Sequence, residues 1–140
     1  MREVGRTLSL SPTLDAEIRQ ELRDRGDGDW ARGVLSMLDE AVRASRVPGI
    51  VFVRRRGERR AAIAFSGLEV WEIVATWREG GEDWRTLAAA YPELRESQLR
   101  AALAYHRLYP EEIDARLERE AQWTPERVAE EFPGSRPTRS

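Results

Sequence analysis

Cysteine is absent from this chain of 140 residues, and histidine occurs once. Without thiols there is no disulfide framework and no thiolate metal site, and a lone imidazole, His106, with no acidic pair beside it builds no metal centre. Long apolar runs are missing too. The longest are far too short to cross a bilayer, and no signal-peptide core follows Met1, so a cytoplasmic protein is expected. Lysine is also lacking, so all 23 basic residues are arginine. Arginine suits bidentate contact with phosphate or carboxylate, although a GC-rich genome produces the same bias. There is no nucleophile elbow, no phosphate-cradling glycine loop and no metal-binding histidine pair. The strands needed for the carboxylate-bearing parallel sheet of a metal-dependent ribonuclease are lacking as well. No catalytic residue, cofactor or metal is therefore expected.

What the chain does hold is 41% hydrophobic and 34% charged residues, a balance that folds rather than staying disordered. Its net charge is −2, unevenly spread. Residues 50–60 carry 5 arginines against 1 acid, whereas residues 111–140 carry 5 against 8. Positive charge gathers in one short stretch and the C-terminal part is acidic.

Arg6–Leu10 alternates, with Leu8 and Leu10 on one side, and reads as a strand. Ser11-Pro12 then opens a helix with Leu14, Ile18 and Leu22 as its buried stripe, and Gly26 stops it. Asp29 caps a second helix whose Ala31, Val34, Leu35, Leu38, Ala41 and Val42 repeat at helical spacing. Ile50–Val53 and Ala61–Phe65 are β-rich runs flanking Arg54-Arg55-Arg56-Gly57-Glu58-Arg59-Arg60, a hairpin with an arginine-loaded tip. Such a tip serves as a phosphate-contacting wing or simply as a charged guard on exposed edges.

From Gly67 to Tyr109 three amphipathic helices follow, separated by Gly80-Gly81 and by a turn at Pro92. A short helix, a turn and a longer helix outline a helix-turn-helix, an outline that a plain helical bundle shares. On a helical wheel of the third helix Leu99, Ala102, Leu103 and His106 face the core. Ser97, Ala101, Ala104 and Leu108 lie opposite, a small-residue face better suited to a packed neighbour than to base edges. Pro110 starts a further helix with Ile113 and Leu117 inward and Glu112, Arg116 and Glu120 pairing along its surface. Thr124-Pro125 opens a last short helix with Val128 and Phe132, and the run from Pro133 has nothing to bury. Of the five tryptophans, Trp30, Trp77 and Trp84 sit at helix-face positions that suit a core. Trp71 and Trp123 are better placed as exposed anchors.

The organisation expected is residues 1–47 as a strand-helix-helix and candidate dimerisation element, 48–66 as the basic hairpin, 67–109 as the helix-turn-helix and 110–140 as an acidic helical tail with a mobile end. The fold class is mainly α with a small β-hairpin, the helix-turn-helix being of homeodomain-like outline.

Two resemblances sharpen this. RTLSLSPTL followed by two helices weakly resembles ParD-type ribbon-helix-helix proteins, in which two copies pair their strands and Thr7, Ser9 and Ser11 would face the groove. A strand placed for packing alone is the competing description. The second resemblance spans Val47–Leu117. V-P-G-I-V-F, the arginine hairpin with A-A-I-A, G-L-E-V-W-E-I-V, Y-P-E-L and L-R-A-A-L-A-Y together resemble domain-of-unknown-function family 433, helix-turn-helix proteins classed with VapB-type antitoxins. Where that family has Ser, Thr or Asp before the third helix, this chain has Arg95.

The resemblance implies an antitoxin of a type II toxin–antitoxin pair. It would neutralise a PIN-like ribonuclease toxin by direct binding and regulate its own operon by binding operator DNA. A stand-alone DNA-binding regulator, or an interaction module that touches no DNA, are the alternatives. Expected DNA contacts are Arg54, Arg55, Arg56, Arg59, Arg60, Arg95, Ser97, Gln98 and Arg100. Expected partner contacts are Trp71, Leu108, Glu111, Glu112, Glu118, Glu120 and Trp123, with the acids mimicking RNA for a basic nuclease cleft. A homodimer or a larger hetero-oligomer is expected.

Overall fold

A computed structural model describes residues 2–123, 125–131 and 134. The chain is mainly helical with one small antiparallel hairpin, in the order α1 (Pro12–Arg25), α2 (Trp30–Arg46), β1 (Ile50–Arg55), β2 (Glu58–Ile63), α3 (Val70–Glu79), α4 (Trp84–Ala90), α5 (Glu96–Leu108), α6 (Pro110–Ala121) and α7 (Pro125–Glu131). Among the described residues no helix is long and apolar enough to cross a membrane. Thr124, the side chain of Val128, Phe132 and the run from 133 onward, Gly134 apart, lie outside the described residues. Contacts divide the chain into two units, 1–43 and 44–140.

In the first unit the local signals act as expected. Ser11 Oγ accepts the Leu14 N–H at 3.1 Å, and α1 ends at Gly26, where Asp27 N–H closes onto the Leu22 carbonyl at 2.9 Å. Asp29 Oδ1 accepts the Arg32 N–H at 3.1 Å and so opens α2. The packing differs from expectation. Leu22 of α1 is buried against Gly33, where an added Cβ would lie 2.4 Å from the Leu22 side chain, so glycine alone permits that approach. Arg25 reaches Glu40 at 3.0 Å, a pair whose side chains are only 14% and 11% exposed. The α2 row facing α1 is thus Gly33 and Glu40, small and polar. The apolar row that should be buried, with Leu35, Leu38 and Val42, is exposed, as are Trp30 and Leu14. Helical periodicity places a row correctly but does not say which neighbour covers it.

The strand expected at Arg6–Leu10 is not formed. That stretch is exposed except at Leu10, and no ladder partner for it exists among the described residues. A lone strand has no ladder to satisfy its backbone, so the alternation survives without the structure.

In the second unit β1 pairs with β2 in the register Ile50↔Ile63 through Arg55↔Glu58. The turn is Arg56-Gly57, with φ of 49° and 78°. Positive φ at both central residues marks the mirror-image turn whose twist suits hairpins, and Gly57 adopts it without a Cβ penalty. The strands run on through the arginines rather than stopping before them. The second one ends at Ile63, two residues short of expectation, and Phe65 turns outward at positive φ, fully exposed.

The helix-turn-helix follows. Glu69 N–H is accepted by Glu72 at 2.8 Å, and Asp83 accepts both the Thr86 N–H at 2.9 Å and its hydroxyl at 2.7 Å. At the start of α5, Arg95 N–H donates to Gln98 Oε1 at 2.8 Å, so Gln98 does the capping that the Arg95 side chain cannot. The core gathers Ile50 and Ile63 of the hairpin, Ile73 and Val74 of α3, Leu87 of α4, Leu99 and Tyr105 of α5 and Ile113 of α6.

Two corrections concern α5. Ala101, expected to face outward, is buried, while His106 and Leu103 are only half-buried. Tyr105, missed as a core residue, has no exposed surface, stands edge-on to Phe52 at 6.3 Å and donates its hydroxyl to Glu112 at 2.6 Å. The reason is that α5 is covered on several sides, by α3, α6 and both strands. As its inward Ile113 and Leu117 imply, α6 packs on the core. Ile113 is 4% exposed, Leu117 packs on the core, and Asp114 takes Arg78 at 2.8 Å and His106 at 2.9 Å.

Asp114 is held below its ordinary carboxylate range, first by the hydrogen bond from His106 and then by Arg78. A depressed carboxylate stabilises the fold when ionised, so this contribution is whole above about pH 4 and fades as pH falls through the lowered value. Thermal melts from pH 6 to pH 2 should therefore show Asp114→Asn losing less stability on acidification than the unmodified chain. Parallel losses in both would remove Asp114 as a source of acid sensitivity.

Candidate nucleic-acid interface

Two basic surfaces belong to the second unit. The first is the hairpin tip, where strand alternation and a two-residue turn crowd arginines that sequence alone could only count. Arg54, Arg55, Arg56 and Arg59 are exposed. Arg55 donates to the Gly67 carbonyl at 3.4 Å and Arg59 to the Phe52 carbonyl at 3.2 Å, so both are held against the hairpin's flank. Arg60, expected to join them, is half-buried and turned to Glu69 at 3.3 Å and Glu58 at 3.5 Å. A guanidinium neutralised by two carboxylates is a poor counterion for a phosphate backbone, so Arg60 leaves the tip set.

The second surface is a cleft of about 440 Å³ along α5, lined by Trp77, Trp84, Ala101 and Ala104 and by Arg46, Arg100 and Arg107. Among the described residues no carboxylate lines it. Trp77 and Trp84 meet edge to face at 6.3 Å, and the Arg100 guanidinium lies 4.7 Å from the centre of the Trp84 ring. Arg100 is also clasped by Glu96 of the preceding turn at 2.6 Å, which blunts its charge while fixing its position. Arg95 and Ser97 are exposed at the start of α5, but Gln98 is half-buried and committed to the helix start, so it is not available to base edges. Arg46 and Arg107 were not among the expected contacts. Their signal is weak in sequence, since Arg46 precedes the hairpin by only a few residues and Arg107 sits beside a helix end.

The expected partner surface separates. Leu108 and Trp123 are 48% and 41% exposed, and Glu111 and Glu118 are exposed. Glu112 is held by Tyr105, and Glu120 is 3.6 Å from Arg116. Trp71 is half-buried against the core, so it is no exposed anchor.

The opposite charges of the hairpin and α6 do meet, but with signs reversed. The hairpin's one acid, Glu58, is taken by Arg116 and Arg119 of the otherwise acidic α6. The Arg116 hydrogen bond, aided by the charges of Arg116, Arg119 and Arg60, holds the Glu58 carboxyl below its usual range.

No curated protein and no solved structure matches the chain. A family model described as a protein of unknown function (DUF433) matches residues 51–106, the stretch from the first hairpin strand through most of α5.

Proposed function

We propose that this chain is an antitoxin-type regulator that holds operator DNA through its hairpin arginines and neutralises a PIN-like ribonuclease through its acidic C-terminal part. The observation that carries the DNA half is the set of exposed Arg54, Arg55, Arg56 and Arg59 on one tight turn. Each guanidinium on a phosphate releases a condensed counterion, and the cleft beside α5 adds Arg46 and Arg107 to the same kind of contact. The ribonuclease half rests on the resemblance to VapB-type antitoxins. The exposed Glu111, Glu118 and Trp123 support it, since a nuclease that grips RNA in a basic cleft attracts such a surface. Exposed Leu35, Leu38 and Val42 favour a homodimer within the regulator.

Copurification from the native operon, followed by mass measurement and binding to the upstream DNA, tests the two halves separately. A small ribonuclease in the complex and retention of the DNA are expected. DNA retention with no nuclease would leave a stand-alone regulator, and neither result would leave an interaction module. Replacing Glu111 and Glu118 with glutamine and Trp123 with alanine should weaken neutralisation at least about tenfold while leaving the operator affinity within about twofold, because all three side chains are exposed. Full neutralisation by this variant would sink the role of the acidic surface.

A further inference from the structure

Three arginines converge on one carboxylate in the second unit. Glu58 accepts from Arg116, from Arg60 at 3.5 Å and from Arg119 at 3.5 Å. Around them lies a cleft of about 360 Å³ between the hairpin and α6, lined also by Trp71, Glu69 and Glu112. Two donors on its lining residues, Arg60 Nε and Trp71 Nε1, have no acceptor among the described residues. Unmet buried donors are uncommon in folded proteins and point to a group that is not part of the chain.

The acids in the cleft are not equivalent. Glu69 is only 8% exposed and bound by Arg60, and Glu112 receives the Tyr105 hydroxyl. Glu58 differs, since its side chain is 48% exposed and sits on the first residue after the turn. An exposed carboxylate closing a ring of three guanidinium groups, two of them only 13% exposed, occupies the place an external anion would take. A phosphodiester brings one charge and merely exchanges for Glu58. A terminal phosphate brings up to two charges and three acceptor oxygens, which suits paired guanidinium forks better.

We propose that this cleft is a seat for a terminal phosphate group, occupied by Glu58 in the free chain. Of the arginines assigned to operator contact only Arg59 lines the cleft, and the three that hold Glu58 are not among them, so the seat is tested apart from that reading. The full chain, labelled with ¹⁵N, is titrated with inorganic phosphate and, at equal ionic strength, with chloride. The Trp71 indole N–H, assigned with Trp71→Phe, is expected to shift with phosphate and saturate, and to ignore chloride. Glu58→Gln is expected to tighten phosphate about tenfold by removing the competing charge, and Arg116→Gln with Arg119→Gln to abolish the response. A Trp71 signal that treats phosphate and chloride alike overturns the proposal without any variant, as does unchanged affinity in folded Glu58→Gln. Competition by adenosine 5′-monophosphate and by a short 5′-phosphorylated single strand separates a free nucleotide from a strand end. A 5′-hydroxyl strand that competes equally well would overturn the preference for a terminal phosphate. Replacing Arg54, Arg55 and Arg56, which do not line the cleft, with glutamine is expected to leave this titration unchanged.

Discussion

Replacing Arg54, Arg55, Arg56 and Arg59 together with glutamine is expected to weaken duplex binding by at least about 100-fold at moderate salt. The slope of log affinity against log salt should become shallower by about 3 to 4, near 0.9 for each lost phosphate contact. The fold should survive, because all four side chains are exposed and the hairpin register is set by its ladder and by Ile50, Ala61, Ala62 and Ile63, which are buried. Glutamine keeps most of the length and polarity while removing the charge, so a loss reports electrostatics rather than a misshapen hairpin. Adding Arg60→Gln to the set should change the slope little, since Arg60 is already engaged by Glu69 and Glu58. A quadruple variant with wild-type affinity and slope would refute the hairpin as the DNA contact and transfer the question to the α5 cleft. Circular dichroism and a melting curve on the same sample exclude trivial unfolding.

The elements legible from sequence are those whose signals are local. Ser11-Pro12, Asp29, Asp83 and the glycine pair at 80–81 mark helix ends because a cap acts within three or four residues. Arg56-Gly57 is legible as a turn for the same reason. Non-local choices were not legible. Which row of α2 meets α1 depends on Gly33 leaving room for Leu22, a packing fact rather than a periodic one. The wheel of α5 assumed a single covered face, so Ala101 fell outward and Tyr105 dropped out, whereas the hairpin, α3 and α6 cover that helix from several directions. Net charge misled most. Arg116 is legible as a partner of Glu120 on its own helix, but a regional charge count does not show that Arg116 and Arg119 also take Glu58, 58 and 61 positions away. The tip likewise carries one arginine fewer than its count implies.

Ending the chain at Tyr109 is expected to abolish cooperative unfolding of the second unit, while ending it at Trp123 should leave the melt nearly unchanged. The difference follows from what α6 supplies. Ile113 is 4% exposed in the same core as Ile73 and Tyr105, and Leu117 packs beside it. Losing both apolar side chains uncovers Tyr105, returns its ring and its neighbours in the core to water, and strips its hydroxyl of Glu112. Arg78 and His106 lose Asp114, and Glu58 loses Arg116 and Arg119. The milder Ile113→Ala should cost about 2–4 kcal/mol through lost burial and the cavity left behind. For a unit of this size that lowers the melting temperature by roughly 10 °C or more. Tyr105→Phe should cost less, because removing the hydroxyl leaves only the exposed Glu112 to be rehydrated. A chain ending at Tyr109 that melts cooperatively within a few degrees of full length would show that α6 is peripheral. The acidic residues of α6 would then be free to act as a tail. A broad, non-cooperative melt would make α6 part of the core that presents Glu111 and Glu118, and experiments that remove α6 to test partner binding would then measure unfolding instead.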